Sequence, residues 1–573
     1  MEKSPEYLPI TPSRRRFVFP HSSIVVSVLI SLTIWCSFGS FQQFGIIHQP
    51  VYGDPDTWCL IPDVVTPPDD SLLSSDHFNE PNVLKKQVQR LSAAVKVPTE
   101  SFDDNGEVDE DPRWSTFDEF HAVLEELFPL IYDRYKPTKV NRYGLIYTLN
   151  GTDETRKPLL LTAHQDVVPA GPTSGWRYPP FSPHYDGSFL WGRGSTDCKN
   201  VLIGILSALE DLISQGFTPT RSIVLAFGFD EEAGGYRGAG TLGKKLSADW
   251  GSDSFEFILD EGGMGVQEVG DIVYALPGVA EKGYHDIELT LQTTGGHSSK
   301  PPPHTGIGIM ADMVVALEKH PYVPRLTHSN PFRRVLECRA TYSPSEVEPW
   351  LKRALSSGDE NEVAARIAES APMERWLMQT SQAVDIIEGG VKVNALPERV
   401  MVLINHRIAP HDSIELVNQH VHDVLDPIAA SYGIQILKPN VSASDDQTAT
   451  STGTLNLSFP QSLEVAPISP TDNQVWSVFA GTLRSVFQGP FSTSLETVDR
   501  RRRVIPVGNI MTGNTDTQHY WNLTKNIYRF TPAREGSRVN THGADERMRM
   551  DAHIEGIQLY YDLIRNFDKW NGE

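Results

Sequence analysis

At 573 residues the chain is too long for one hydrophobic core and argues for roughly two or three domains. Its net charge of −23 argues against a nucleic-acid partner and for a self-repelling, soluble surface. Cys36, Cys59, Cys198 and Cys338 make neither a zinc ribbon nor a disulfide framework, and no pairing among them is indicated.

Residues 1–16 are polar and end in Arg14, Arg15 and Arg16, and residues 17–39 are apolar and free of Lys, Arg, Asp and Glu. That run is long enough to cross a bilayer. The next Lys or Arg is Lys85, an asymmetry that keeps the N-terminus in the cytosol and sends the rest across. The pattern reads as a single-pass type II signal anchor; the alternative is a cleaved signal peptide with a long basic leader, but no small-x-small site follows the run. Residues 40–80, punctuated by Pro50, Pro55, Pro62, Pro67 and Pro68, read as a stalk. Glycosylation acceptors at Asn150, Asn440, Asn456 and Asn522 fit a lumenal body.

From 84 to 136 the apolar spacing is helical. Strand-like runs follow at 143–149 and 158–163, then a Trp/Pro/Tyr-rich loop at 176–183 and an amphipathic helix at 200–213. Further buried strands are expected at 222–229 and 255–259. This alternation reads as an α/β catalytic domain over 81–283. Residues 284–293 and 400–408 alternate apolar and polar, as half-solvated strands do, and helices at 306–318 and 413–429 accompany them. The expectation is an inserted α+β domain over 284–468, with 439–458 as a loop. The catalytic domain resumes over 469–573.

The acids lie at the ends of the apolar strands. One strand ends in His164 with Asp166 two positions on, the next in Glu231 and Glu232, the third in Asp260, and a glycine-flanked loop delivers Asp197. Singly each has an ordinary explanation: a core-edge histidine, a solvated acidic pair, a helix cap, a turn cap. Side by side in one sheet, their ends converge on one crevice. Carboxylates held that close repel unless a cation lies between them. Histidine and carboxylates without cysteine suit zinc, manganese or cobalt. Asp197 could offer one oxygen to each of two metals, about 3.5–4 Å apart, which share a hydroxide. Of Glu231 and Glu232, one can ligate while the other stays free as a base. Asp166 shares a face with His164 and could orient it.

At these residues the chain resembles the co-catalytic di-zinc metallopeptidases of the aminoacylase, carboxypeptidase G and succinyl-diaminopimelate desuccinylase type, and within them the fungal vacuolar carboxypeptidase S (Gly-X carboxypeptidase) branch. The resemblance is carried by TAHQDVVP (162–169), WGRGSTDCK (191–199), FGFDEEAGG (227–235), ILDEGG (258–263), TGGHSSKPPPHTGIG (294–308), VNALPERVMVLINHRI (393–408), GNTDTQHYWNL (513–523) and NTHGADERM (540–548). It implies a di-zinc exopeptidase domain with an inserted α+β lid, preceded by one transmembrane helix. It also implies two Zn2+ per subunit: Asp197 bridging, His164 and Asp260 completing one site, Glu232 and His542 the other. Asp260 is followed by Glu261, and either could ligate; the family pattern favours Asp260. Asp166 and Glu231 are the implied catalytic pair, Glu231 as general base. His297 is expected to stabilise the oxyanion, and Asn394 and Arg407 to bind substrate, Arg407 through its free carboxylate. The implied activity is cleavage of short peptides of the Gly-X type by a metal-bridged hydroxide. Alternatives are an aminoacylase or N-fatty-acyl-amino-acid hydrolase and, in another class, a metal-free binding ectodomain on a peptidase fold. No motif ligand is missing, which counts against the last. The implied location is the vacuolar membrane or lumen, and a homodimer is compatible with the pattern.

Overall fold

The computed structural model describes residues 58–437, 452–488 and 502–572. The expected anchor at 17–39, the cytosolic tail and Asn440 lie outside the described residues, among which no helix is long and apolar enough to cross a membrane. Residues 58–80 depart from the expected stalk. Trp58 and Cys59 are buried, Phe78 joins the main core, and a disulfide links Cys59 to Cys338 across 279 positions.

Helices α1 (Pro81–Lys96) and α2 (Thr116–Leu127) precede the first strands, β1 (Thr138–Val140), β2 (Gly144–Leu149) and β3 (Leu159–His164). Then come α3 (Lys199–Ser214), β4 (Ile223–Gly228), α4 (Ala239–Trp250), β5 (Phe257–Asp260) and β6 (Gly278–Glu281). All six residues of β3 and of β4 are buried, as a parallel sheet covered on both faces requires. Helix α3 is not amphipathic in its setting. Nearly its whole surface is buried, because it packs on the sheet between α1 and the C-terminal helix.

The chain then builds a second sheet. Strand β7 (Gly283–Thr293) leads to α5 (Gly306–Lys319), which Thr305 caps by accepting from Gly308 N–H. A helical run follows: α6 (Pro331–Tyr342), α7 (Pro349–Ser357), α8 (Glu360–Ser370) and α9 (Pro372–Arg375). Strands β8 (Ser381–Gly389) and β9 (Arg399–Ile408), helix α10 (Ile414–Ser431), and strands β10 (Ile434–Ile436) and β11 (Gly453–Ser458) complete it. Among the described residues this sheet runs β8-β9-β7-β11-β10, with Ser462–Leu463 added on β7. The tail of the expected loop is thus strand β11, whose Leu455 and Leu457 are buried against the core of α5 and α10. Helices α6 to α8 pack elsewhere, in a core with Tyr274, Leu276, Ala280, Ile505 and Ile510.

Helix α11 (Gln474–Phe487), strands β12 (Asn509–Met511) and β13 (Ile527–Arg529), and helix α12 (Met550–Lys569) return to the first sheet. Among the described residues its order is β1-β2-β4-β3-β5-β13-β6-β12, and β4, β3, β5 and β13 run parallel. Their carboxyl ends form one rim, with His164 beside Gly228 and Asp260 beside Arg529. Ligands of open α/β sheets bind at such a rim.

Candidate metal centre

His164 ends β3 and is buried. Its Nδ1 lies 3.0 Å from the backbone oxygen of Asp166 and 3.3 Å from its carboxylate, so Nε2 is turned to the Asp197 Oδ1, 3.1 Å away. Asp166 does more than orient this ring. Its carboxylate accepts from Ser101 Oγ at 2.6 Å and from the backbone N–H groups of Glu231 and Glu232 at 3.1 Å each. It therefore fixes the turn after β4 to the end of β3. Burial opposes its charge, but His164 and these donors hold it below the usual carboxylate range.

Asp197 stands at the centre. Its Oδ1 faces His164 and its Oδ2 lies 3.2 Å from His542 Nε2. Glu232 approaches the same His542 nitrogen at 3.3 Å, and Glu231 lies 4.0 Å from His164 Nε2. Glu231 and Glu232 share a single 3-10 turn, Glu231–Ala233, so their side chains diverge. Ligand atoms of Asp197, Glu232 and His542 fall within 4.8 Å of one another, as do those of His164, Glu231 and Glu232. Cys198 is also within that reach of His164 and Asp197. Its thiol is buried, pushed well above its ordinary range, and receives the His164 N–H at 3.2 Å, as a packing thiol does.

The charge balance fits cations. Burial, with Glu232, Asp516 and Glu261 adding negative charge, pushes Glu231 well above the usual carboxylate range. Glu232 keeps a buried oxygen, Oε1, with no hydrogen-bond partner. His542 is raised to about 10 by Asp197 and Glu232, its only means of satisfying them without a metal. Two histidines and two glutamates around a carboxylate that presents one oxygen to each histidine make an N and O donor set suited to divalent cations.

Glu261 lines the cleft, and Asp260 is buried at the end of β5 just before it. Consecutive residues at a strand end face opposite ways. Glu261 lines the cavity beside Asp197 and, by burial and that neighbour, rises to about 8. Asp260, raised by burial and with Thr162, His164 and Arg529 around it, keeps a buried Oδ2 unpartnered, as Glu232 keeps its Oε1.

The cleft, about 550 Å3, runs from these acids to Tyr284, Asp286, Asn405 and Arg407 at the base of β7 and β9. Arg407 Nη1 donates to Asn514 Oδ1 at 2.9 Å, and its guanidinium lies 5.6 Å from the Tyr284 ring centre. His297 and Asn394 are not brought here. Both are exposed, with His297 bridged to Ala395 past the end of β7 opposite Tyr284. The strand's 11 residues span about 35 Å at about 3.3 Å each, so this chain's own cleft is out of their reach. Asn150 and Asn522 are exposed, while Asn456 is half-buried within β11.

One residue at the site escaped sequence reasoning. Glu546, fully buried, accepts from Arg193 Nη1 at 2.5 Å, Gly194 N–H at 3.0 Å and Thr196 N–H and Oγ1 at 2.8 Å each. Arg193 in turn donates to the His542 carbonyl at 3.2 Å. His542 itself has φ 62°, a left-handed conformation uncommon outside glycine, so its loop needs such support. The acid in the 540–548 motif was visible; its target 350 positions upstream was not.

Residues 160–566 match the peptidase family M20/M25/M40. The chain is 39% identical over 511 residues to carboxypeptidase S of Saccharomyces cerevisiae, covering 86% of each chain. It is 31% identical over 509 residues to an N-fatty-acyl-amino acid synthase/hydrolase of Mus musculus, covering 87% of this chain and 91% of that one. In fold it is similar to the M20 family metallo-carboxypeptidase Sso-CP2 of Sulfolobus solfataricus, with a TM-score of 0.57 at 16% identity, over 84% of this chain and 99% of that one. A match over most of the chain, on a sheet whose rim gathers these acids and histidines, makes the protein a member of peptidase family M20/M25/M40.

Proposed function

We propose that the protein is a metallo-carboxypeptidase that hydrolyses short peptides of the Gly-X type with a free C-terminal carboxylate, using two zinc ions. The observation that carries this is Asp197, with one oxygen on each histidine and a positively charged Arg407 in the same cleft. His164 and Asp197, with Asp260 or its neighbour Glu261, would hold one ion; Asp197, Glu232 and His542 would hold the other. Bound there, the ions would polarise the scissile carbonyl and acidify water. The chain's own groups do the rest. Glu231 accepts a proton from the attacking water at its carboxylate and returns it to the leaving amine nitrogen. Arg407, steadied by Asn514, takes the terminal carboxylate by a forked contact.

The Cys59–Cys338 bridge supports an oxidising, secretory compartment. With it goes the remaining reading: a type II anchor at 17–39, a vacuolar location, and glycosylation at exposed Asn150 and Asn522. A homodimer is the arrangement in which His297 and Asn394 would meet a cleft, that of a second copy.

Hydrolysis of blocked Gly-Leu by the purified, zinc-loaded protein tests the reading. Cleavage that a chelator stops and zinc restores, and that fails on the C-terminal amide, is the expected result. A preference for N-acyl amino acids over blocked dipeptides would favour the second reading, which the murine relative supports. No cleavage of either, with zinc bound, would overturn both.

A further inference from the structure

On the far side of Arg407 lies a second cavity, of about 490 Å3. Arg407 lines both spaces. The partition between them is thin. Gly262 and Gly263 face the cleft while Met264 faces the second cavity, and Met511 and Thr512 divide the same way. Its floor and walls are apolar: Leu276, Phe332, Trp376, Leu377 and Ile510, with Met373 of α9 at the mouth. The charges at its edge offer no free anion. Lys282 Nζ donates to the carbonyls of Trp376 at 3.2 Å and Gln379 at 2.7 Å, and Glu374 is paired with Arg339 at 2.5 Å. Such a chamber, mostly apolar and of this volume, is suited to an organic side chain.

We infer that this cavity receives the side chain of the substrate's C-terminal residue and selects large apolar side chains, aromatic ones included. The inference rests on the reading that Arg407 holds the terminal carboxylate. The carboxylate and the side chain leave the same α-carbon, each by one bond of about 1.5 Å. A side chain anchored that close to Arg407 has the second cavity beside it. The acyl portion leaves from the other side of the scissile amide, toward the acids, away from this cavity. With Arg339 and Glu374 paired to each other, no free anion is left to receive a C-terminal Lys or Arg, and Arg407 at the edge adds positive charge against one.

The experiment uses the zinc-loaded full chain and two substrate series. One is blocked Gly-X with X = Ala, Leu, Phe or Arg; the other keeps a C-terminal Leu and lengthens the N-acyl group from acetyl to decanoyl. The parent should prefer Phe and Leu to Ala by about 10-fold or more in kcat/KM and should disfavour Arg. Met373 is 82% exposed, so Met373→Glu and Met373→Gln leave folding unthreatened. Both should shrink the Phe/Ala ratio several-fold, and only Met373→Glu should improve the Arg substrate. Equal effects on every X, or an unchanged ratio, would overturn the inference while the carboxypeptidase reading stands. A response confined to acyl length would reassign the cavity to the acyl side and also overturn it. Failure of the parent to cleave either series would remove the reading beneath it.

Discussion

Asp197 lies between His164 and His542. Each oxygen has its own histidine, and Glu231 is left without a histidine closer than 4.0 Å. A carboxylate beside the centre but outside the tightest contacts suits proton transfer more than ligation. Glu231→Gln is therefore expected to lower kcat by about 10²–10⁴-fold, the usual worth of a general base, while bound zinc per chain stays the same. Zinc lost in step with activity would make Glu231 a ligand instead. Arg407→Lys exchanges a fork for a point charge and should cost the free-acid substrate about 10-fold more than its amide. Equal losses would deny Arg407 the carboxylate. Glu231 and Glu232 could be read in advance because they close an apolar strand, and Asp197 because a glycine-flanked loop delivers it beside them; Arg407 is indicated only by the family resemblance. Asp260 against Glu261 could not be read, since the choice depends on which face β5 presents as it ends.

Two loops bring Asp197 and His542 together, and neither is regular structure. Glu546 accepts four hydrogen bonds from the first loop and, through Arg193, braces the second. Outer partners of metal ligands commonly carry about 10–100-fold of metal affinity. Glu546→Gln sets an NH2 group against donors and should weaken zinc by that factor, read by competition with a chromophoric chelator. Unchanged affinity would leave Glu546 a folding residue only. Helix α12 carries a different load. Its His553 is buried and, with Nε2 unpartnered, is lowered from its ordinary 6.5 to about 3 by burial, with Arg90 adding positive charge. The folded state thus refuses a proton that the unfolded chain accepts below 6.5. The stability this histidine supports is whole above that pH and is lost as pH falls toward 3. By pH 4.5 the loss is about 2–3 kcal/mol. His553→Gln should flatten the fall of Tm between pH 7 and 4.5, compared with the parent at equal zinc; parallel curves would refute it. Local apolar spacing found the helices at 200–213, 306–318 and 413–429 and the buried strands that end in the acids, but not the helices over 331–375 or strand β8. It also missed β11 and the packed segment 58–80, whose partners, Leu289 and Cys338, lie far away along the chain.

At the scale of the whole molecule, the cleft and the far end of the second sheet pose a problem that one chain does not solve. The resemblance gives His297 a role at the reacting carbonyl, yet β7 carries it away from the acids by nearly its full length, into solvent. Rigid, hydrogen-bonded strands do not fold back, and β7 is paired along its length with β9 and, over its second half, with β11. Three arrangements are open to His297: no part in the reaction, service to the cleft of a second copy, or service to its own cleft after a movement of the second sheet. A mixing experiment separates them. Glu231→Ala lacks the base but keeps His297; His297→Ala keeps the base. If histidine acts across a symmetric dimer, each variant alone is nearly inactive. Subunits exchanged between them form mixed dimers in which one of two clefts has both groups. With random exchange, about a quarter of parental activity should return. A His297→Ala variant that is fully active alone would strip His297 of the role. One that is inactive and not rescued, although mixed dimers are shown to form, would return the residue to its own chain and require a movement of the second sheet toward the cleft.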